Sequence, residues 1–267
     1  MSKPPRSVSF LWLLLPLAAL VFLFWIDSAR IQRVTKTSLL AQEAPATDAR
    51  SSTGYAANTR VLVVPEHNSD TYHWIAQTQQ MLANGTARVH HIDYENAPFG
   101  REVHATSVYR WWLAGIAWCD HMISDRPLGQ SVERAALYAD PILHVLLVLG
   151  LTAFAYFQFG ALAAGLASVA AVLLFPLGAE YLPGMTEERG LALAFSVATI
   201  LLIAAGIRAA YSVSTHTPAR AARWFFASGI VGALGLWTNA ASQIPVIVGI
   251  AVGGLLAAIV QRRGASG

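Results

Sequence analysis

Long apolar runs separated by short polar breaks constrain this chain more than any other feature. Six runs reach or approach the roughly 20 residues that a helix needs to cross a hydrocarbon core about 30 Å thick. Only 12% of the residues are charged, against about 25% in soluble domains. The chain is therefore predicted to be an all-α membrane protein with about six transmembrane helices. The predicted spans are Phe10–Ile26, Pro141–Gly160, Ala161–Tyr181, Leu191–Tyr211, Trp224–Ala240 and Gln243–Val260.

Basic residues beside these runs predict the orientation. Lysine and arginine concentrate in short cytoplasmic connections, and here they precede the first run and follow the fourth and sixth. Both termini are then cytoplasmic, and residues 27–140, residues 182–190 and a turn near Asn239 lie on the opposite side. A cleaved signal peptide is the alternative for the first run. Two tryptophans, Pro16 and the lack of a small-x-small motif favour an uncleaved anchor.

This topology divides the chain into four parts. They are an anchor at 1–26, a large non-cytoplasmic loop at 27–140, a five-helix bundle at 141–261 and a cytoplasmic tail at 262–267. Residues 42–58 are small, polar and rich in Pro, Gly and Ser, which predicts a flexible tether. The rest of the loop is predicted to be mostly helical, and Val61–Val64 is a candidate strand. The predicted helices run from Ser69 to Gly85, over residues 106–122 at the membrane interface, and from Ser131.

Charge and cysteine content exclude further classes. The net charge of +3 is too small to indicate a nucleic-acid partner. Cys119 is the single cysteine, so an intrachain disulfide is excluded, and we expect its side chain to be a buried apolar filler. The sequence contains no P-loop, dinucleotide-binding fingerprint or nucleophile elbow.

Two predicted outer segments hold most of the polar groups that could carry chemistry. In the first, Asp70 and His73 are three residues apart and share one helix face. A carboxylate such as Asp70 is a hard oxygen ligand suited to Mg²⁺ or Mn²⁺. In the second, Glu187 and Glu188 lie at the end of a span. Acidic groups at membrane depth are costly and are therefore functional candidates; a solvated loop beside a helix N-terminus is the alternative.

The order of these motifs resembles the GT-C glycosyltransferase superfamily, and within it the N-terminal membrane half of the oligosaccharyltransferase catalytic subunit and its bacterial relatives. The resemblance extends over residues 60–260. The matching stretches are Asp70–His73, Asp93–Pro98, Gly100–His104, Leu182–Gly184 followed by an acid, and Gly235–Trp237 through Gln243 and Pro245.

The resemblance implies hexosyl or oligosaccharyl transfer from a polyprenyl-phosphate or polyprenyl-diphosphate donor to a protein or glycan acceptor, on the non-cytoplasmic face. It implies membrane lipid as surroundings, a bacterial inner (plasma) membrane as location, and a divalent cation, Mg or Mn. The implied catalytic residues are Asp70 and Glu187, and the implied metal ligands are Asp70, Glu187 and Glu188. The residues expected to bind donor phosphate or substrate are His73, Asp93, Arg101, His104 and Arg189.

The chain departs from this pattern in two respects. Many bacterial relatives carry an Asp followed by two His where this sequence reads Glu187–Arg189. Family members usually have more spans and often a C-terminal soluble domain, so the chain is expected to be incomplete at its C-terminus. Two other classes stay open. One is a non-catalytic membrane scaffold, and the other is a small transporter, which predicts ionisable groups deep within spans, where His144 and Gln158 are the nearest candidates.

Overall fold

The computed structural model describes residues 10–41, 43, 45–64, 69–104, 106–211 and 218–265, and it is 76% helical. Two short 3-10 helices, Phe10–Leu13 and Ala56–Asn58, and an antiparallel hairpin of β1 (His91–Ile92) and β2 (Arg101–Glu102) accompany the α-helices. The α-helices are α1 (Leu14–Ala41), α2 (Ser69–Ala83), α3 (Val108–Ser124), α4 (Leu128–Phe159), α5 (Ala161–Leu173), α6 (Phe175–Ala179), α7 (Glu188–Tyr211), α8 (Pro218–Thr238) and α9 (Ala240–Ala265).

Four helices of the described chain are long and apolar enough to cross a bilayer: Leu14–Leu40, Leu128–Phe159, Glu188–Tyr211 and Ala240–Val260. They correspond to the first, second, fourth and sixth predicted spans. α5 has 13 residues and is about 20 Å long, short of a hydrocarbon core of about 30 Å. α8 has 21 residues, but its arginines and glycines lower its mean hydropathy below that of the four long apolar helices.

The predicted third span, Ala161–Tyr181, is not one continuous helix. α5 ends at Leu173, Leu174 is extended, and the five-residue α6 follows. Pro176 explains the break, because it has no N–H for the Val172 carbonyl and its ring would collide with that carbonyl in a continuous helix. The turn between α4 and α5 falls at Gly160, whose φ of +95° suits glycine. This confirms the turn that we predicted at residues 158–160.

The predicted domain boundaries at residues 26 and 140 fall inside continuous helices. α1 has 28 residues and α4 has 32, so they are about 42 Å and 48 Å long. Both exceed the roughly 30 Å hydrocarbon core and extend beyond it. The part of α1 after residue 26 is polar in sequence, yet Asp27, Val34 and Ser38 are buried because this part packs against other helices. At the other end of the chain, α9 continues through Ala265 into the predicted tail.

We call the part formed by residues 27–140 the outer unit. Its core joins the second half of α1 to α2, α3 and the first half of α4, and it includes Val34, Ile75, Leu113, Val132 and Ala136. The candidate strand at residues 61–64 is extended but has no strand partner within the described chain. Side chains of three helices hold it there instead. The predicted outer loop is thus a packed helical unit.

Residues 42–58, predicted to be a flexible tether, form a folded loop where the structure describes them. Thr47 and Tyr55 form an isolated β-bridge, and Thr53 is fully buried. The Gln130 amide of α4 donates to the Gly54 carbonyl at 2.8 Å. Small polar residues allow flexibility, but here their hydrogen bonds fix the loop against α4.

The Trp-rich helix predicted at residues 106–122 is α3. Its buried face carries Tyr109, Leu113 and Ala117, which are spaced by one helical turn. Cys119 is exposed, so the prediction of a buried cysteine is wrong. The reason is its position, because two residues beyond Ala117 the helix presents its opposite face.

Candidate functional site

A cleft of about 280 Å³ lies between α2, the β-hairpin and the first residue of α7. We call it the outer cleft. Of the eight residues predicted as site residues, five line it: Asp70, His73, Arg101, His104 and Glu188. The other lining residues are Trp74, Gln77, Ile92, Glu95 and Val103. The structure therefore brings together residues that are widely separated in the sequence.

α2 supplies one wall of the outer cleft. His73 and Trp74 lie three and four residues after Asp70, and Gln77 lies four and three residues after them, which places all four on one helix face. Asp70 is exposed and lies in the first turn, where a carboxylate interacts favourably with the helix dipole. The predicted pairing of Asp70 and His73 on one face is confirmed.

Glu95 organises the opposite wall. Its Oε1 lies 2.7 Å from His73 Nδ1, and its Oε2 accepts from Arg101 Nη1 at 2.7 Å. The Tyr94 ring stacks on His73 at 5.9 Å between centroids. Glu95 was not among the predicted site residues. The signal that could have revealed it is its place in the short hairpin loop, where the pairing of Ile92 with Arg101 brings it beside that arginine.

A buried arginine lies behind the wall that α2 supplies. Arg110 on α3 is fully buried, donates to the Gln77 side chain and lies 5.2 Å from the Trp74 ring centroid. Burial lowers the pKa of Arg110, Arg88 lowers it further, and the Glu188 carboxylate opposes them. An arginine stays charged even so. Gln77 and Trp74, which line the outer cleft, are thus backed by a positive charge that we did not predict.

The second predicted outer segment is tied to the first. Thr186 Oγ1 donates to the Thr71 carbonyl at 3.1 Å, and both side chains are buried. Tyr181 closes the segment by donating to the Gly190 carbonyl at 2.8 Å. Arg30 of α1 donates to the Pro183 carbonyl at 2.9 Å. These bonds hold the start of α7 beside α2 and so bring Glu188 to the outer cleft.

Glu187, Glu188 and Arg189 are consecutive but face different surroundings, because Glu187 precedes α7 and the first two residues of α7 point about 100° apart. Glu188 faces the outer cleft and accepts from the Asn239 amide at 3.3 Å. Glu187 does not line the cleft, and its Oε2 lies 3.2 Å from Arg189 Nε. Arg189 lines a second cavity of about 430 Å³, which we call the lateral cavity.

The lateral cavity lies between α6, α7 and α9. Pro176, Leu177, Leu193 and Val246 supply apolar surface, while Glu180, Arg189, Ser196 and Ser242 supply the polar groups. The start of α7 therefore separates a charged cleft from a largely apolar cavity. Glu187 stands between the two, since it is next to the cleft residue Glu188 and paired with the cavity residue Arg189.

Asp93 lies away from the outer cleft. Its side chain is 93% exposed and lies 3.2 Å from His91 Nε2. Successive residues of an extended chain point to opposite sides, so the buried Ile92 faces the cleft and Asp93 faces outward. Residues 66–68 of the first predicted segment lie outside the described residues.

Sequence reasoning also missed a buried pair next to the site. The Tyr109 hydroxyl lies 3.0 and 2.8 Å from the two carboxylate oxygens of Asp140, and both residues are fully buried. Burial and the adjacent Asp140 raise the pKa of Tyr109 well above its ordinary value, so the phenol remains a donor. The signal in the sequence is an acid directly before a predicted span.

No group of three or more His, Cys, Asp or Glu is arranged to hold a metal ion within the described part of the chain. Asp70 and Glu188 nevertheless both line the outer cleft. Mg²⁺ retains several waters and takes one or two carboxylates together with substrate phosphate oxygens. Two hard carboxylates in one cleft fit that requirement, and the metal stays a prediction.

The helical content and the four apolar helices define the class: a mostly helical protein of membrane type with a charged cleft at one end of its bundle. No protein-family model, curated protein or solved structure matches the chain.

Proposed function

We propose that the chain is a membrane glycosyltransferase that transfers a sugar from a polyprenyl-phosphate or polyprenyl-diphosphate donor to a protein or glycan acceptor on the non-cytoplasmic face. The observation that carries this proposal is the position of residues 187–189 between the charged outer cleft and the largely apolar lateral cavity. The donor has a long apolar chain joined to an anionic phosphate, and its sugar is polar. These two cavities match those two parts.

The lateral cavity suits the lipid part of the donor. Leu177, Leu193 and Val246 supply apolar contact surface for a polyprenyl chain. Arg189 lines the same cavity and is 60% exposed. Its guanidinium can bind a phosphate through two parallel hydrogen bonds. Glu187 pairs with Arg189 and would set the position of that guanidinium.

The outer cleft suits the sugar and the acceptor. Asp70 either takes the proton of an acceptor hydroxyl or amide, or serves as a metal ligand. A divalent cation, when bound by Asp70 and Glu188, would offset the negative charge of the departing phosphate. Glu95 holds His73 and Arg101 in place, so these two can donate hydrogen bonds to the sugar without first becoming ordered.

The proposal includes six crossings with both termini in the cytoplasm. α5 and α6 together would form the third crossing, and α8 the fifth. Arg220 and Arg223 at the start of α8 are on the side expected of a cytoplasmic end. Reporter fusions distinguish this from other topologies: a fusion after Gly184 should be active only as an exported reporter, and a fusion after Tyr211 only as a cytoplasmic one.

A transfer assay tests the function. Full-length protein in lipid nanodiscs would be mixed with polyprenyl-linked radiolabelled sugar and a panel of peptide and glycan acceptors. We expect Asp70→Asn and Glu188→Gln each to lower kcat by about 100-fold or more, as loss of a group acting in the transition state does. Arg189→Gln should weaken donor binding. Asp93→Asn, which changes an exposed acid outside the cleft, is the matched control and should leave transfer unchanged.

The scaffold hypothesis is the second candidate, and one observation favours it. Glu95 is already paired with His73 and Arg101, so part of the cleft is neutralised internally. Folded protein that binds the donor but transfers no sugar with any acceptor would support a scaffold. Transfer that persists in both Asp70→Asn and Glu188→Gln would instead refute the assignment of the outer cleft as the active site.

A further inference from the structure

The end of the helix bundle away from the outer cleft carries positive charge without negative charge. Residues 141–179 and 189–267 contain no Asp or Glu at all, whereas Arg208, Arg220 and Arg223 lie among them. The three arginines are exposed. Because these stretches offer no carboxylate, no nearby residue of α4, α5, α7, α8 or α9 at this end can neutralise them. The counter-charge must come from outside these helices.

Two of these arginines share a cavity. Arg208 of α7 and Arg220 of α8 line a space of about 220 Å³, together with Phe157, Gln158 and Trp224. That volume is about seven times the roughly 30 Å³ that one water occupies in the liquid. We call it the basic cavity. It lies where α4 ends and α8 begins, so three helix ends enclose it.

Arg208 is held in place by uncharged groups. Its Nη1 donates to the Gln158 carbonyl, and its guanidinium lies 5.5 Å from the Phe159 ring centroid. A backbone carbonyl and an aromatic face orient a guanidinium without cancelling its charge. The side chain is therefore positioned and still free to attract an anion. Such positioning distinguishes it from a solvated arginine at a helix end.

The basic cavity lies at the depth of lipid headgroups. α7 starts at Glu188 beside the outer cleft and reaches Arg208 after 20 residues, a rise of about 30 Å. That distance equals the hydrocarbon thickness of a bilayer. At the cavity, the lining residue Phe157 is 80% exposed. Large apolar side chains at this exposure are expected to contact acyl chains.

We propose that Arg208 and Arg220 bind the phosphate of an anionic phospholipid of the leaflet opposite the outer cleft. The lipid phosphate would occupy the basic cavity, and its acyl chains would lie against Phe157. Basic cavities between transmembrane helices are suited to anionic headgroups, and the fork of an arginine fits a phosphate. This site is about 30 Å from the proposed active site and does not depend on it.

A lipid fits these surroundings better than a soluble phosphate. Phosphate from solution would find the same two guanidinium groups but would leave the exposed Phe157 ring beside them without a ligand. A phospholipid satisfies both kinds of group at one depth, because its phosphodiester would bind the guanidinium groups and its acyl chains would contact the aromatic surface. The two sources share the phosphate group and differ in the apolar part, so competition between them separates the two.

Native mass spectrometry of the full chain tests the proposal. The protein would be extracted from nanodiscs made of equal parts phosphatidylglycerol and phosphatidylcholine, and the retained lipid would be counted. We expect retained phosphatidylglycerol to exceed phosphatidylcholine, and a large excess of inorganic phosphate to leave it bound. Equal retention of both lipids, or displacement by inorganic phosphate, would overturn the proposal.

Three variants locate the site. A basic residue near an anionic surface favours anionic lipid by about fivefold, so Arg208→Gln and Arg220→Gln should each lower the phosphatidylglycerol preference by at least that factor. Arg223→Gln is the matched control, because it removes the same charge from the same helix but from outside the basic cavity. We expect it to change the preference less than twofold. Equal losses in Arg220→Gln and Arg223→Gln would mean that overall charge, and not a site, attracts the lipid.

Arg208→Gln also removes a contact to α4 and could unfold this end of the bundle. Arg208→Lys keeps the charge and loses the planar fork, so we expect it to fold and to retain less phosphatidylglycerol than the unchanged protein. Circular dichroism of each variant reports its helix content. A folded Arg208→Lys variant with undiminished retention would contradict binding through the guanidinium fork.

Discussion

Four consecutive backbone amides of the outer unit depend on side chains from three helices. The N–H groups of Val61 and Leu62 donate to Glu133 Oε2 of α4, at 3.1 and 3.0 Å. The N–H of Val63 donates to Ser38 Oγ of α1, and that of Val64 to the Tyr72 hydroxyl of α2, both at 2.9 Å. The contribution of each helix to holding this segment can therefore be tested separately, at the amide that its side chain binds.

Glu133→Ala removes the one oxygen that accepts two of these hydrogen bonds. Hydrogen bonds to a charged group contribute about 1.5–3 kcal/mol each. Leu62 is 8% exposed, so its N–H would lose the full amount, while the N–H of the partly buried Val61 can regain water. We expect about 2–5 kcal/mol in total. Glu133→Gln keeps one acceptor oxygen and should cost about half as much.

Hydrogen exchange read by mass spectrometry in nanodiscs measures these losses. Each 1.4 kcal/mol corresponds to a tenfold change, so a loss of about 3 kcal/mol should speed exchange at Val61 and Leu62 by roughly 100-fold. Val63 should respond to Ser38→Ala and Val64 to Tyr72→Phe, each by about fivefold for a neutral bond of about 1 kcal/mol. The reasoning fails if Glu133→Ala leaves Val61 and Leu62 as protected as in the unchanged protein.

Two further predictions concern topology and packing. Cys119 is exposed on α3, so a membrane-impermeant maleimide should label it in intact spheroplasts, and labelling only after lysis would contradict an outer location for this unit. A side chain on Gly190 would place its Cβ 2.7 Å from the Glu180 carbonyl; Gly190→Ala should therefore destabilise the protein by about 1–3 kcal/mol, measured by thermal unfolding in detergent. Gly229→Ala, with no atom within 4 Å of the added Cβ, is the control and should be neutral or slightly stabilising; equal destabilisation by both would argue against the close contact.

Hydrophobic runs predicted where the apolar helices lie. Apolarity, however, indicates which residues lie in the bilayer and does not indicate where a helix begins or ends. α1 continues past Ile26 to Ala41 because its polar residues form an amphipathic face against the outer unit. Pro176 itself predicts the helix break before it, but the apolar residues on both sides of it favour one continuous span. Helix bounds set by tertiary packing are thus the part of the fold that this sequence conceals.

The candidate site was predictable where helix geometry decides it. Asp70 and His73 share a face because of their spacing, and His104 and Arg101 reach the same cleft through the hairpin. Asp93 was misplaced because a shift of one residue in an extended chain reverses the side chain. Glu95 and the Tyr109–Asp140 pair depend on contacts between distant elements, which single-sequence patterns do not report.

The hydrogen bond between Thr186 and Thr71 has a consequence for biosynthesis. The outer cleft needs both His104 and Glu188, and the 83 residues 105–187 must be synthesised between them. At roughly 5–20 residues per second, this interval lasts about 4–17 s. Once residue 140 has been made, the outer unit can already be packed while one wall of the cleft is missing. An inserted but unfinished chain therefore presents half a site to the membrane surface, and the other half arrives only when α7 begins to emerge.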